Sequence, residues 1–174
     1  MSPLDYLDVT SREDLLREID RRWHELDVFV RGLSPAELRL PVDGGEEGIT
    51  WDVGVAIAHI ALWKRNAAKV ATMMQGPATP DDRYPPFVLG LDLNAVNDEA
   101  ASTWAARPRD QVLAEHESAH EDLLQAIATL DESRLIVNGK PIRWLHPMLQ
   151  HATFHFAEHI RKPVEAHRAA RAEH

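Results

Sequence analysis

The stretch Thr50-Trp51-Asp52-Val53-Gly54-Val55-Ala56-Ile57-Ala58-His59-Ile60-Ala61-Leu62-Trp63 opens the segment whose period decides the fold of this 174-residue chain. Val55, Ala58, His59, Leu62, Asn66, Val70 and Met73 recur every three or four residues, the repeat of one helix face. Thr50 stands where a cap is expected and Gly76-Pro77 stops the run, so the pattern predicts a helix reaching about Met74.

Upstream, Thr10-Ser11-Arg12-Glu13 has the spacing of a capping box, and Leu15, Ile19, Trp23, Leu26, Val30 and Leu33 continue at helical period. A first helix over about 11 to 32 follows. Ser34-Pro35-Ala36-Glu37 reads as a short capped turn leading to Gly44, Gly45 and Gly48, a surface connection without a phosphate-site signature. Downstream, Pro77, Pro80, Pro85 and Pro86 exclude regular helix as far as about Leu91. Helical periodicity returns from Asp92 to Ala106 and from Arg109 to Leu130, and the two runs read together as one third helix kinked at Pro108. Ile136 to Ile142, with Asn138-Gly139, predicts an irregular connection or a minimal hairpin. Pro147 fits the first turn of a last long helix to about Arg161, which Pro163 should kink or end. The expected architecture is all-α: an up-down four-helix bundle with a long Pro-rich loop after helix 2, in a single domain over 1–174 with its core at about 10–169.

Composition removes several functions. Lys and Arg number 19 against 28 Asp and Glu, a net charge of −9, and the cations are dispersed, so no footprint for nucleic-acid phosphates is present. Zero Cys excludes disulfides, thiolate zinc sites and a Cys nucleophile, and fits a reducing compartment. No run spans a bilayer, and Met1 to Thr10 lacks the basic start and apolar stretch of a secretory signal. The expectation is a cytoplasmic protein acting on a small molecule, with neither nucleic acid nor membrane as partner; a homodimer is one of the oligomeric states left open. G-x-S-x-G, G-x-G-x-x-G and Walker A motifs are absent.

Ten His are present, and His146, His151, His155, His159 and His167 crowd the last helical region. His155 and His159 lie one turn apart, so in an α-helix both imidazoles leave the same face and can converge on one ion. The spacing alone is weak, because His116/His120 and His151/His155 share it. His116 lies on the apolar stripe of its helix and His120 on the flank, among Glu115, Glu117 and Glu121, which reads as a polar-edged packing face. His151 reads as a surface or supporting group. His59 stands on an otherwise apolar face, where a buried ring needs a partner; by itself such a residue is more often a satisfied core histidine. Together, His59, His155 and His159 offer a divalent ion three ligands from two facing helices, leaving a position open. Imidazole donors favour zinc or nickel over magnesium.

These residues resemble the DinB/YfiT-like superfamily of metal-binding four-helix bundles, and more narrowly its ClbS/DfsB-type branch. Thr50-Trp51-Asp52 with Ala58-His59-Ile60-Ala61-Leu62-Trp63 is similar to the second helix and its first ligand. Asp92-Leu93-Asn94-Ala95-Val96-Asn97 and Val112-Leu113-Ala114-Glu115 are similar to the third-helix region of the branch. Thr153-Phe154-His155-Phe156-Ala157-Glu158-His159-Ile160 is similar to the last helix, with the other two ligands. The resemblance implies the ligand set His59, His155 and His159, and hydrolysis or thiol transfer on reactive electrophiles, with a low-molecular-weight thiol as a candidate co-substrate. After His159 the chain reads Ile160-Arg161-Lys162-Pro163, departing from the His-Arg-Gly continuation of many members.

An ion held this way lowers the pKa of its water or polarises a substrate oxygen or thiol. Glu158, beside a ligand, and Asp52, two turns before His59, are the carboxylates to consider as base, although Asp52 also suits the start of a helix. Tyr84 and Phe87 of the Pro-rich segment are expected to line the pocket entrance and bind substrate, or else to cover a neighbouring helix. The expected function is a metal-dependent hydrolase or S-transferase; the alternative is a non-catalytic sequestration protein using the same three His.

Overall fold

The first helix, α1 (Arg12–Arg31), begins where Ser11 Oγ accepts the Asp14 backbone N–H at 3.1 Å. Asp14 answers by accepting from the backbone N–H and hydroxyl of Thr10. The cap therefore lies one residue beyond the expected Thr10–Glu13 box, because Ser11 is the residue in extended conformation. The computed structural model describes residues 9–43, 50–74, 93–137, 140–141 and 156–173. The expectations for the Gly-rich loop, the Pro-rich segment with Tyr84 and Phe87, and Pro147, His146, His151 and His155 lie outside these residues.

Ser34 and Glu37 form the short capped turn by exchanging hydrogen bonds, Glu37 N to Ser34 Oγ and Ser34 N to Glu37 Oε2. The chain then enters β1 (Pro41–Asp43), which pairs antiparallel with β2 (Thr50–Asp52) in the register Pro41↔Asp52, Val42↔Trp51, Asp43↔Thr50. This hairpin corrects the expected start of helix 2. Thr50 belongs to a strand, and Asp52 caps α2 (Val53–Met73), its Oδ1 accepting from Val55 N at 2.7 Å.

Fourteen of the 21 residues of α2 are buried, so the other helices surround it. It packs on α3 (Leu93–Trp104), α4 (Arg109–Thr129) and a π-helical turn over Phe156–Arg161, while α1 packs on α4. α3 and α4 are separate helices, correcting the expected single kinked one. Between them Ala106 takes a left-handed φ of 59°, and Pro108, in extended conformation, precedes the first turn of α4. A second minimal hairpin pairs β3 (Ile136–Val137) with β4 (Lys140–Pro141), one of the two expected forms of that connection. The last helix, α5 (Lys162–Ala172), follows the π turn directly. Pro163 does not end it. Lacking an N–H, it sits where the wide ladder of the π turn gives way to α-helix, in the first turn of α5. Arg168 ties α5 back by donating to Glu37 Oε1 at 2.6 Å, which with the Ser34 N–H holds the Glu37 carboxyl down to about 2. The described residues thus form a helical bundle of five helices, none long and apolar enough to cross a membrane.

The core is divided. One apolar cluster joins Leu15 and Ile19 of α1, Ala67, Val70 and Ala71 of α2, and Leu123 and Ile127 of α4. The other joins Leu26 and Val30 of α1, Ile57 and Ile60 of α2, Val112 of α4, and Phe156, Ile160 and Val164. Between them in sequence stand Trp23 of α1, Lys64 of α2, and His116 and His120 of α4, and Asp27, one residue past Leu26, joins them in a polar layer within the bundle. Lys64 occupies a core position of the stripe Ile57, Ile60, Lys64, Ala67, Ala71 and is only 7% exposed. Burial pushes its ammonium down to about 7, with Asp27 opposing the shift. His116 and His120 are likewise pushed down by burial, to about 3 and about 4. Trp23 stacks on both rings, with centroids 5.6 Å from His116 and 4.3 Å from His120.

These shifts have definite signs. Lys64 titrates lower in the fold than its usual 10.5, so stability is lost as pH falls from 10.5 through 7, and at pH 7 most of that cost is already present. Lys64→Met should raise the unfolding free energy at pH 7 by about 1–4 kcal/mol in urea titrations, an advantage that shrinks toward pH 10. A variant no more stable than wild type at pH 7 contradicts the buried-cation account. His116 and His120 contribute in the acid range, where stability falls as pH drops from 6.5 through their folded values. His116→Leu should flatten the stability profile between pH 6.5 and 3, measured as the urea midpoint at each pH; a profile parallel to wild type contradicts it.

Candidate functional site

His59 sits in the second turn of α2, 1% exposed, and its expected need for a core partner is met. Trp63, one turn on, donates its indole N–H to His59 Nε2 at 3.0 Å. Trp51 of β2 lies against the same imidazole with ring centroids 4.6 Å apart. The hairpin explains that contact: pairing of Val42 with Trp51 places the indole at the start of α2, where it is 3% exposed.

His159 lies in the π turn and is 7% exposed. Ile160 and Phe156 of that turn join the apolar cluster that holds Ile57 and Ile60, so the turn carrying His159 packs against the helix carrying His59. Phe156 meets Phe29 of α1 edge-on at 5.6 Å, and the Arg161 guanidinium lies 4.3 Å over the Phe156 ring. His159 thus stands in a π turn, which is wider than an α turn. Such turns recur at functional sites. His155 itself lies outside the described residues.

The two candidate carboxylates are placed differently. Asp52 is committed to structure: one oxygen caps α2, and the other accepts from Arg39 Nη1 at 2.7 Å. Glu158 is exposed on the π turn and pairs with Lys162 at 2.9 Å. The His116/His120 pair is more deeply buried than a polar-edged face implies; His116 is 0% and His120 3% exposed, and both belong to the Lys64 layer. His120 Nε2 lies 3.2 Å from Asp20 Oδ1, while His116 Nε2 stays 3.6 Å from Asp27 Oδ1, whose carboxylate is taken by Arg31 at 2.8 and 2.9 Å. Among the described residues no group of three His, Asp or Glu side chains has the arrangement of a metal site.

Sequence reasoning passed over Trp51, Trp63 and Lys64. The indole of Trp63 was discoverable from its i+4 spacing to His59. Lys64 was discoverable as a cation in the stripe between Ile60 and Ala67. Trp51 depends on a three-residue strand, which leaves no periodic signal.

The donor set suits an ion that prefers imidazole, with one condition. A neutral imidazole that accepts from Trp63 at Nε2 carries its proton on Nδ1, so neither nitrogen offers a free lone pair until the Trp63 bond is given up. An ion at His59 would have to displace the Trp63 indole.

The profile of the DinB superfamily matches residues 18–162. No curated protein matches the sequence. Among solved structures, the fold is similar to the colibactin self-resistance protein ClbS, crystallised in complex with a double-stranded DNA, with a TM-score of 0.58 over 92% of this chain and 96% of that one. Sequence identity is 13%, a likeness of fold alone. With the profile covering most of its length, the chain belongs to the DinB superfamily.

Proposed function

We propose that this protein is a divalent-metal-dependent hydrolase or thiol-dependent transferase acting on a small electrophilic molecule, with His59, His155 and His159 as metal ligands. The observation that carries the reading is the burial of two imidazoles, His59 and His159, on elements packed against each other. Zinc or nickel suits such donors. When bound, the ion supplies Lewis acidity toward water, a thiol or a substrate oxygen. A thiol co-substrate would come from outside, since the chain has no Cys.

The chain's own groups do the rest. Trp51 and Trp63 enclose the His59 ring and exclude water from it. Glu158, open to solvent, is the carboxylate able to exchange a proton with the medium, because both oxygens of Asp52 are engaged. Tyr84 and Phe87 are assigned to substrate contact. The role of ClbS in colibactin self-resistance supports a protective reaction on a small molecule. Its DNA is not carried over: a net charge of −9 with dispersed cations opposes phosphate binding. The bond from Trp63 to His59 favours a second reading, sequestration without turnover, since it closes one ligand in the resting protein.

Elemental analysis of protein reloaded with zinc or nickel should give one ion per chain, and His59→Ala, His155→Ala and His159→Ala should each reduce that content. Full content in all three variants refutes the ligand set. Removing the competing donor in Trp63→Phe should tighten metal binding about 3- to 10-fold, the worth of one hydrogen bond, by competition with a chromophoric chelator. Unchanged or weaker affinity contradicts competition for His59.

A further inference from the structure

The polar layer is a second locus, separate from the imidazoles of the proposed metal site, and three helices contribute to it. Lys64 Nζ, Trp23 Nε1, both ring nitrogens of His116 and Nδ1 of His120 are buried there without a hydrogen-bond partner among the described residues. A buried polar group left unsatisfied loses its hydration without compensation, so five such atoms in one layer call for something to engage them. The Lys64 ammonium opposes a second cation in the layer. Beside the layer, a surface cleft of about 450 Å³ runs between α1 and α4, lined by Leu16, Asp20, Leu124 and Ala128 among others. Asp20, part of its wall, lies 3.2 Å from Nε2 of His120 and so links the cleft to one member of the layer; Lys64 itself does not line it.

We propose that Lys64 is an amine nucleophile that captures a small aldehyde as a Schiff base within the bundle, with His116 and His120 moving the protons. The amine lone pair forms the C–N bond as the carbonyl π pair moves to oxygen. Nitrogen then gives up two protons in all and oxygen gains two, so that one water leaves and a C=N bond remains. No oxidant or second reactant is needed. His120 presents Nε2 to Asp20 and keeps Nδ1 for proton transfer, and His116 has both ring nitrogens available.

The surroundings favour the neutral amine. Apolar clusters flank the layer, and the nearest carboxylate, Asp27, is neutralised by Arg31, which also pairs with Glu117. Asp27 acts on the Lys64 charge and Lys64 acts on His116 and His120, while Arg31 pairs with Asp27 and Glu117, and Asp20 with His120. With its ammonium lowered to about 7, Lys64 is about half neutral at pH 7, roughly 10³-fold more than a lysine titrating at 10.5. This is the desolvated environment used by amine nucleophiles that form Schiff bases.

The chain supplies its own controls, since its other lysines are Lys69, Lys140 and Lys162. Native full-length protein is treated with propanal and cyanoborohydride at pH 7, and propylated lysines are quantified by peptide mass mapping. Lys64 should label at least about tenfold faster than Lys69 and Lys162, which are exposed. Lys64→Met should abolish the fast adduct while retaining its circular dichroism, and His116→Leu should slow labelling of Lys64 without changing that of Lys69. If Lys64 labels no faster than the surface lysines, or only after unfolding in urea, it is not a nucleophile in the fold. If His116→Leu leaves the Lys64 rate unchanged, the proton-transfer assignment is overturned.

Discussion

Fourteen buried residues in one 21-residue helix leave α2 with almost no face for water, and that constraint organises the molecule. α3, α4 and the π turn cover it, α1 packs on α4, and the β1–β2 hairpin covers its N-terminus. Arg65, at the edge of the buried face, fastens α2 to α4 through Glu115, Ser118 and Asp122. Exclusion of water is also what gives the polar side chains of α2 their chemical interest. An imidazole and an ammonium that would be ordinary on a surface become, inside α2's shell, groups whose proton states depend on a few named neighbours.

His59 and Lys64 are five residues apart, about 140° around the helix axis. They therefore serve different sides of α2. His59 is enclosed by two indoles, whereas Lys64 belongs to a layer shared with α1 and α4. The two environments act oppositely on their groups. Trp63 satisfies His59 with a hydrogen bond; among the described residues nothing hydrogen-bonds Lys64 Nζ, and desolvation lowers its charge. A buried cation retained at a cost to stability is a feature that packing alone does not require.

Helix existence was legible where periodicity was strong. α1 follows Leu15, Ile19, Leu26 and Val30 closely, and the burial of His59 matches its place on an apolar face. Around α2 the face through Leu62, Asn66 and Met73 was misjudged: Met73 is 72% exposed, while the stripe through Ile60, Lys64 and Ala67 is buried. A helix rich in Ala offers several plausible stripes, and packing against α4 selects one. The caps of α1 and α2 each moved by one or two residues, because Ser11 and Asp52 compete with equally suitable Thr neighbours. The break at Ala106 and the π turn at Phe156–Arg161 depend on tertiary packing and on single backbone angles, which residue patterns do not encode. Of the three proposed ligands, His59 and His159 are buried on neighbouring elements, and His155 lies outside the described residues.

The central claim is that His59 and His159 face a common divalent ion. The most direct measurement is an anomalous difference map from crystals grown with nickel, collected on both sides of the nickel absorption edge. The account predicts a single strong peak bonded to nitrogens of His59, His155 and His159, at about 2.0–2.2 Å, with the Trp63 indole turned away from His59. An ion elsewhere, or a map without a peak while Trp63 still donates to His59, would contradict it.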